Sequence, residues 1–189
     1  MTGVAGLLLA AGRGSRLGRP KALVEVGGRR LADRAAGVLR DAGLAPVVVV
    51  SGAAPIDLPG VAVAHNPDWA TGMGSSLRTG LAALPDDAGA VVVSLVDQPG
   101  VGPEAVRRLV AAYAAGAEVA VATYDGAPRN PVLLARAHWP AVAASATGDR
   151  GARAFLRTHP ELVTPVECAD IASADDIDTP ADLDRYTGA

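Results

Sequence analysis

The chain has 189 residues, of which 50% are hydrophobic and only 3% aromatic. That bounds one α/β-sized domain, residues 1–189, with a core of Ala, Val and Leu. Twenty acidic against 17 basic residues, a net charge of -3, exclude a general nucleic-acid binder.

The opening "MTGVAGLLLAAG" has no basic stretch ahead of its apolar run and leads into Gly and Arg. It therefore reads as a first strand, Val4 to Ala10, and not as an export signal, so a cytoplasmic location is expected. No apolar run reaches the roughly 18 residues of a membrane span, which predicts no membrane partner. Residues 11–21 read as an exposed loop. Arg30 to Asp41 reads as a helix whose Leu31, Ala35, Val38 and Leu39 share a face, with Gly43 beyond its end. "APVVVVSG" (45–52) is a buried strand by its unbroken β-branched run, and "GVAVAHN" (60–66) a shorter one. Ser75 to Leu84 forms a helix stopped by Pro85. "GAVVVSLVDQPGV" (89–101) is the strongest strand and ends at Asp97. Pro103 opens a helix running to about Ala115. "AEVAVATYDG" (117–126) is a strand, and "NPVLLARAHWPAV" (130–142) a short strand and short helix. "GDRGARAFLRTH" (148–159) reads as a helix capped by Asp149. "ELVTPVEC" is a late strand. The sole cysteine, Cys168, excludes an intramolecular disulfide and a cysteine-based metal centre. "DTPADLDRY" (178–186) is a final helix with Thr179 or Asp178 as N-cap and Pro180 in its first turn. Strands alternate with helices, which predicts three layers: a mostly parallel, mixed sheet with helices on both faces. No linker or repeat divides the chain.

The glycine loop after the first strand is not a P-loop, because Gly18 is followed by Arg19 and Pro20, and Lys21 by Ala22. Nor is it the dinucleotide fingerprint. Gly12 and Gly14 fit, but Gly18 comes one residue late, and the second strand ends in Ser51 and Gly52 instead of an acid. What remains is L-A-A-G-x-G-x-R-x-G-x-x-K, from Leu9 to Lys21. Gly12 and Gly14 let backbone N–H groups approach a triphosphate. Arg16 forks onto a phosphate. Lys21, the one lysine beside sixteen arginines, offers a compact charge on a flexible stem.

Asp97 follows a buried strand at the carboxyl edge, where open α/β sheets bind ligands, and suits a Mg²⁺ held by one or two carboxylates plus phosphates. "GMGSSL" places Gly72, Ser75 and Ser76 at a helix start, able to read a base edge or bind an anion. His65, His138 and His159 read as structural or surface residues.

The motifs "LLLAAGRGSRLGRPKAL", "NPDWATGMGSSLRTGLAAL", "VVSLVDQPGV", "GAPRNPVLL", "GDRGARAFL" and "DIDTPADLDRY" occur in the order found in molybdenum cofactor cytidylyltransferases, and the chain resembles that branch of the molybdopterin nucleotidyltransferases. The resemblance implies a Rossmann-like nucleotidyltransferase domain, with Lys21, Arg16 and Asp97 as the catalytic set. The nucleotide would meet Leu9, Ala10, Ala11, Gly12, Gly14, Ser51, Gly72, Ser75 and Ser76, with Ser76 contacting the base. It implies Mg²⁺ (or Mn²⁺) on Asp97 and on Asp176 or Asp178. The acceptor would meet Arg129, Asn130, Asp149 and Arg153, although the family more often has glycine at the position of Arg129 and histidine at that of Asn130. Guanylyltransferases resemble "LAGG" where this chain has Leu9-Ala10-Ala11-Gly12, so the Ala11 methyl points to CTP over GTP. The implied reaction is CMP transfer from CTP to molybdopterin with release of pyrophosphate. Methylerythritol phosphate or a sugar phosphate is the alternative acceptor. A NAD(P)H-dependent reductase, or a protein delivering finished cofactor to a molybdoenzyme or its chaperone, is the alternative outside transfer chemistry.

Overall fold

A computed structural model describes residues 3–187. In chain order the elements are β1 (Val4–Leu9), β2 (Glu25–Val26), β3 (Arg29–Arg30), α1 (Leu31–Asp41), β4 (Val47–Ser51), β5 (Ala62–His65), α2 (Met73–Ala82), β6 (Ala90–Leu95), α3 (Pro103–Ala114), β7 (Val119–Tyr124), β8 (Ala127–Ala135), α4 (Trp139–Ser145), α5 (Arg153–Thr158), β9 (Val163–Glu167) and α6 (Pro180–Thr187). Seven strands form one sheet in the order β5-β4-β1-β6-β8-β7-β9.

The unbroken Val and Leu runs occupy the centre because both of their faces are covered. Leu8, Val49 and Val92 point to one side, where α1 contributes Leu31 and Leu39 and α3 contributes Leu109. Leu7, Val50 and Val93 point to the other, against Leu77 of α2, Val142 of α4 and Phe155 of α5. The period of two along each strand thus produces the three layers. No helix among the described residues is long and apolar enough to cross a membrane.

β1 pairs in parallel with β4 on one side and β6 on the other. The chain leaves β1 towards β4 and returns to β6, so a crevice opens at their carboxyl ends, the switch point where such sheets bind ligands. β8 runs antiparallel to both β6 and β7, which makes the sheet mixed.

Three details differ from the sequence reading. Residues 25–30 form a small hairpin, β2–β3, around Gly27-Gly28. The strand expected to end at Asp97 ends at Leu95, leaving Asp97 in the turn that follows. The helix expected over 148–159 is a 3-10 turn, Gly148–Arg150, followed by α5, and Asp149 does not cap it. The Asp149 carboxylate instead accepts the Met73 N–H at 3.4 Å, at the start of α2.

That contact belongs to a tight crossing. A Cβ on Gly74 would lie 2.7 Å from the backbone carbon and oxygen of Ala146, and backbone yields less readily than a side chain. Gly74→Ala is therefore expected to cost about 1–3 kcal/mol by overpacking. In a chain of this size that is a Tm drop of roughly 2–12 °C, checked by thermal melting. An unchanged Tm would mean that α2 is free to shift.

Candidate active site

Three segments converge at the carboxyl ends of β1, β4 and β6. The first leaves β1 and stays tied to β4: Ala10 N–H donates to Val50 O at 3.0 Å, and Ala53 N–H to Ala11 O at 3.0 Å. The Ala11 methyl is packed close, since a Cβ on the neighbouring Gly52 would lie 2.7 Å from it and 2.6 Å from the Trp69 Cβ. The loop then folds back on itself. Gly14 has φ +60°, and a Cβ there would sit 2.1 Å from Arg19 O. Both the left-handed backbone and the lack of space require glycine. This fold-back delivers Lys21 into a 3-10 turn, Lys21–Leu23.

The second segment is the turn after β6, and the third is the strap leading into α6. The Ile177 N–H donates to Asp97 O at 2.8 Å, pinning the strap to the turn after β6. Thr179 caps α6: Asp182 N–H donates to Thr179 Oγ1 at 3.3 Å, and Thr179 N–H to Asp182 Oδ2 at 2.7 Å. This reciprocal pair is a capping box with Asp at its third position. Its bonds to Thr179 and to the Asp178 N–H hold the Asp182 carboxyl down at about 2. Because Thr179 does the capping, the Asp178 side chain is free to turn inwards.

It turns to Lys21. The ammonium donates to Asp97 Oδ2 and to Asp178 Oδ1, each at 2.5 Å. The Lys21 and Asp97 side chains are only 16% and 17% exposed. Burial alone would lower the Lys21 pKa, but the charge of Asp97 and the bonds to both acids outweigh it and hold the lysine above its ordinary value. Arg16, largely exposed, lies 3.5 Å from the second oxygen of Asp178.

Asp176 is placed differently. Its Oδ1 accepts from Gln98 Nε2 at 2.9 Å, and the same amide reaches Ala174 O at 3.3 Å. Burial, and then the charge of Asp97, push the Asp176 carboxyl up. Gln98, to which the sequence assigned no role, is thus the side chain that holds Asp176. Its Oε1 is one of two buried side-chain polar atoms without a partner among the described residues. A cavity of about 210 Å³ opens here, lined by Gln98, Asp176, Arg129, Asn130 and Arg153 among others. It gathers three of the four expected acceptor residues; Asp149 stands apart at the start of α2.

Ser51, Ser75 and Ser76 are buried around Asn66. Asn66 N–H donates to Ser51 O at 2.9 Å, and its side-chain amide donates to Ser75 Oγ at 2.8 Å and Ser76 Oγ at 3.0 Å. Ser75 Oγ also contacts Asp68 O and Gly72 O, both at 2.9 Å, so its proton is already engaged. Ser76 donates to no protein group among the described residues, which leaves its hydroxyl proton for a ligand. Asn66 went unread in the sequence; the signal was an amide at a strand end, just before Pro67. Of the histidines, His65 touches this cluster, its Nδ1 lying 3.4 Å from Ser51 Oγ, whereas His138 meets Glu118 at 2.7 Å and His159 stacks on Phe155.

Two carboxylates directed at one cationic point are the hard oxygen donors that Mg²⁺ or Mn²⁺ takes alongside phosphates and water, so Asp97 and Asp178 fit such an ion. Among the described residues no group of three or more His, Cys, Asp or Glu side chains is arranged for a metal. The remaining ligands must come from substrate and solvent.

The sequence profile of the MobA-like NTP transferase domain matches residues 6–163. The nicotine blue oxidoreductase of Paenarthrobacter nicotinovorans is 40% identical over 190 aligned positions, covering 93% of this chain and 92% of that protein. The Mycobacterium sp. strain JC1 homologue of Mycobacterium tuberculosis Rv0371c superposes with a TM-score of 0.84 at 28% identity, over 98% of this chain and 95% of that one. Rv0371c of Mycobacterium tuberculosis H37Rv, crystallised in complex with manganese, gives a TM-score of 0.81 at 26% identity over the full length of both.

Proposed function

The chain belongs to the MobA-like NTP transferase family and is a nucleotidyltransferase; on that premise we propose that it moves a CMP unit from CTP to the phosphate of molybdopterin, releasing pyrophosphate. The observation that carries this reading is the meeting of Lys21, Asp97 and Asp178 beside the glycine loop. A mobile cation and two acids are the equipment for in-line attack on an α-phosphorus. An acceptor phosphate oxygen attacks that phosphorus. The new P–O bond forms as the bond to the bridging oxygen breaks, and pyrophosphate leaves with the electron pair.

In this reading the Gly12–Gly14 backbone cradles the triphosphate, and Arg16 binds its outer oxygens. Lys21 follows the charge that builds on the leaving group. Asp97 and Asp178 would hold Mg²⁺ or Mn²⁺, which supplies charge neutralisation on the phosphates; that Rv0371c was crystallised with manganese supports a divalent ion here. Ser76 offers its hydroxyl to the base, and Ala11 helps wall the cleft towards a smaller pyrimidine. Arg129, Asn130 and Arg153, around their cavity, bind the acceptor.

The test is pyrophosphate release with CTP, GTP and ATP, each with and without molybdopterin. Release is expected with CTP and molybdopterin together. Faster release with GTP would overturn the base assignment. Release only with methylerythritol phosphate or a sugar phosphate would move the acceptor, and no release in any combination would sink transfer altogether.

A second reading has one observation in its favour, the 40% identity to an enzyme named as an oxidoreductase. It would place a nicotinamide nucleotide in the same cleft for hydride transfer. The match of residues 6–163 to the NTP transferase profile favours transfer over this reading.

A further inference from the structure

We propose that Lys21 is a placeholder for the divalent cation: its ammonium keeps Asp97 and Asp178 together until a triphosphate draws it away, so that metal enters with the nucleotide and not before. The proposal rests on the nucleotidyl-transfer reading for the triphosphate alone and is independent of base and acceptor.

The geometry is that of an occupied cation site. Both carboxylates reach the ammonium at the same distance, 2.5 Å, and the lysine is 16% exposed. Two carboxylates facing one point repel each other without a cation between them. A divalent ion cannot share that point with an ammonium. Among the described residues there is no third metal-ligating side chain in the group. A metal arriving alone would therefore have to displace Lys21 while gaining only two protein ligands of the six or more oxygens it needs.

A triphosphate changes both sides of the exchange. Its oxygens supply the missing ligands, and they offer the lysine another anion at the end of its flexible stem. The loop provides the route, because Lys21 lies directly after the fold-back at Gly14, where the phosphates would sit. Metal and nucleotide affinities are then coupled, each raising the other. The same logic explains why this position is lysine in a chain that otherwise uses arginine. An ammonium is compact enough to stand in for a single ion between two carboxylates, whereas a planar guanidinium is not.

The test is a Mn²⁺ titration followed by the electron paramagnetic resonance signal of the free ion, with no acceptor and no turnover. Lys21→Met keeps the stem and removes the charge. Without nucleotide it is expected to bind Mn²⁺ at least about tenfold more tightly than the natural chain, and the natural chain is expected to gain about as much on addition of the α,β-methylene analogue of CTP or of GTP. Adding Asp97→Asn to Lys21→Met should return binding to weak. Lys21→Met binding Mn²⁺ no more tightly than the natural chain would overturn the proposal. Should that variant fail to fold, the natural chain still decides: tight Mn²⁺ binding without nucleotide, unchanged by the analogue, would overturn it equally. A chain that shows the shift but transfers no CMP refutes the function alone, and one that transfers CMP without the shift refutes the placeholder alone.

Discussion

Asp97→Asn is expected to lower kcat for nucleotidyl transfer by about a hundred- to a thousandfold, the usual effect of removing one preorganised electrostatic group, or roughly 3–4 kcal/mol on the barrier. The change is nearly isosteric, and the backbone carbonyl of residue 97, which accepts the Ile177 N–H, is untouched. Among the described residues the Asp97 side chain bonds only Lys21. The fold should therefore survive, and KM for the nucleotide should change much less than kcat, because the lost interaction matters most as charge moves through the transition state. Saturating Mn²⁺ should not restore turnover. Steady-state kinetics on the purified variant, with a thermal melt to check folding, measure all of this. Turnover within about twofold of the natural chain would mean that the Lys21–Asp97 contact is an ordinary ion pair.

The second large effect is expected from Lys21→Arg, which keeps the charge. Turnover should fall by about tenfold or more, where each factor of ten corresponds to about 1.4 kcal/mol. The cause is shape. The lysine approaches two acids at 2.5 Å in a pocket where its side chain is 16% exposed, and a guanidinium is planar, larger and fixed in its directions of donation. It cannot sit between the acids in the same way, nor follow the leaving group as a point charge. Asp97→Asn and Lys21→Arg touch one cluster, so their effects should not add. Near-normal turnover by Lys21→Arg would mean that the loop acts through its positive field alone.

Much of this site was legible in the sequence because its parts are local. The β-branched runs Val47–Val50 and Val91–Val93 can be read as buried strands without tertiary information, and a glycine loop followed by Lys21 marks a candidate anion site. Asp97 was legible because it lies just past the strongest strand. The parts that were not legible depend on contacts distant in the chain. Asp176 and Asp178 look equivalent before the last helix; only the capping pair Thr179–Asp182 and the bond from Gln98 to Asp176 assign them different neighbours. Asp149 fits a local capping pattern, yet its carboxylate meets Met73, 76 residues away. The direction of β8 leaves no trace in a period of two, and the two-residue strands of the β2–β3 hairpin are too short to show a period. Asn66 organises three serines that the sequence treated as separate signals.

The central claim is that this cleft transfers a nucleotidyl group. Its most direct test incubates the natural chain with molybdopterin, CTP labelled in the α-phosphate and Mg²⁺, and in parallel with NADPH and an oxidised acceptor such as nicotine blue. Label appearing in a molybdopterin product, with stoichiometric pyrophosphate and no NADPH oxidation, is the predicted result. NADPH oxidation that proceeds without CTP, with no label transferred, would contradict it.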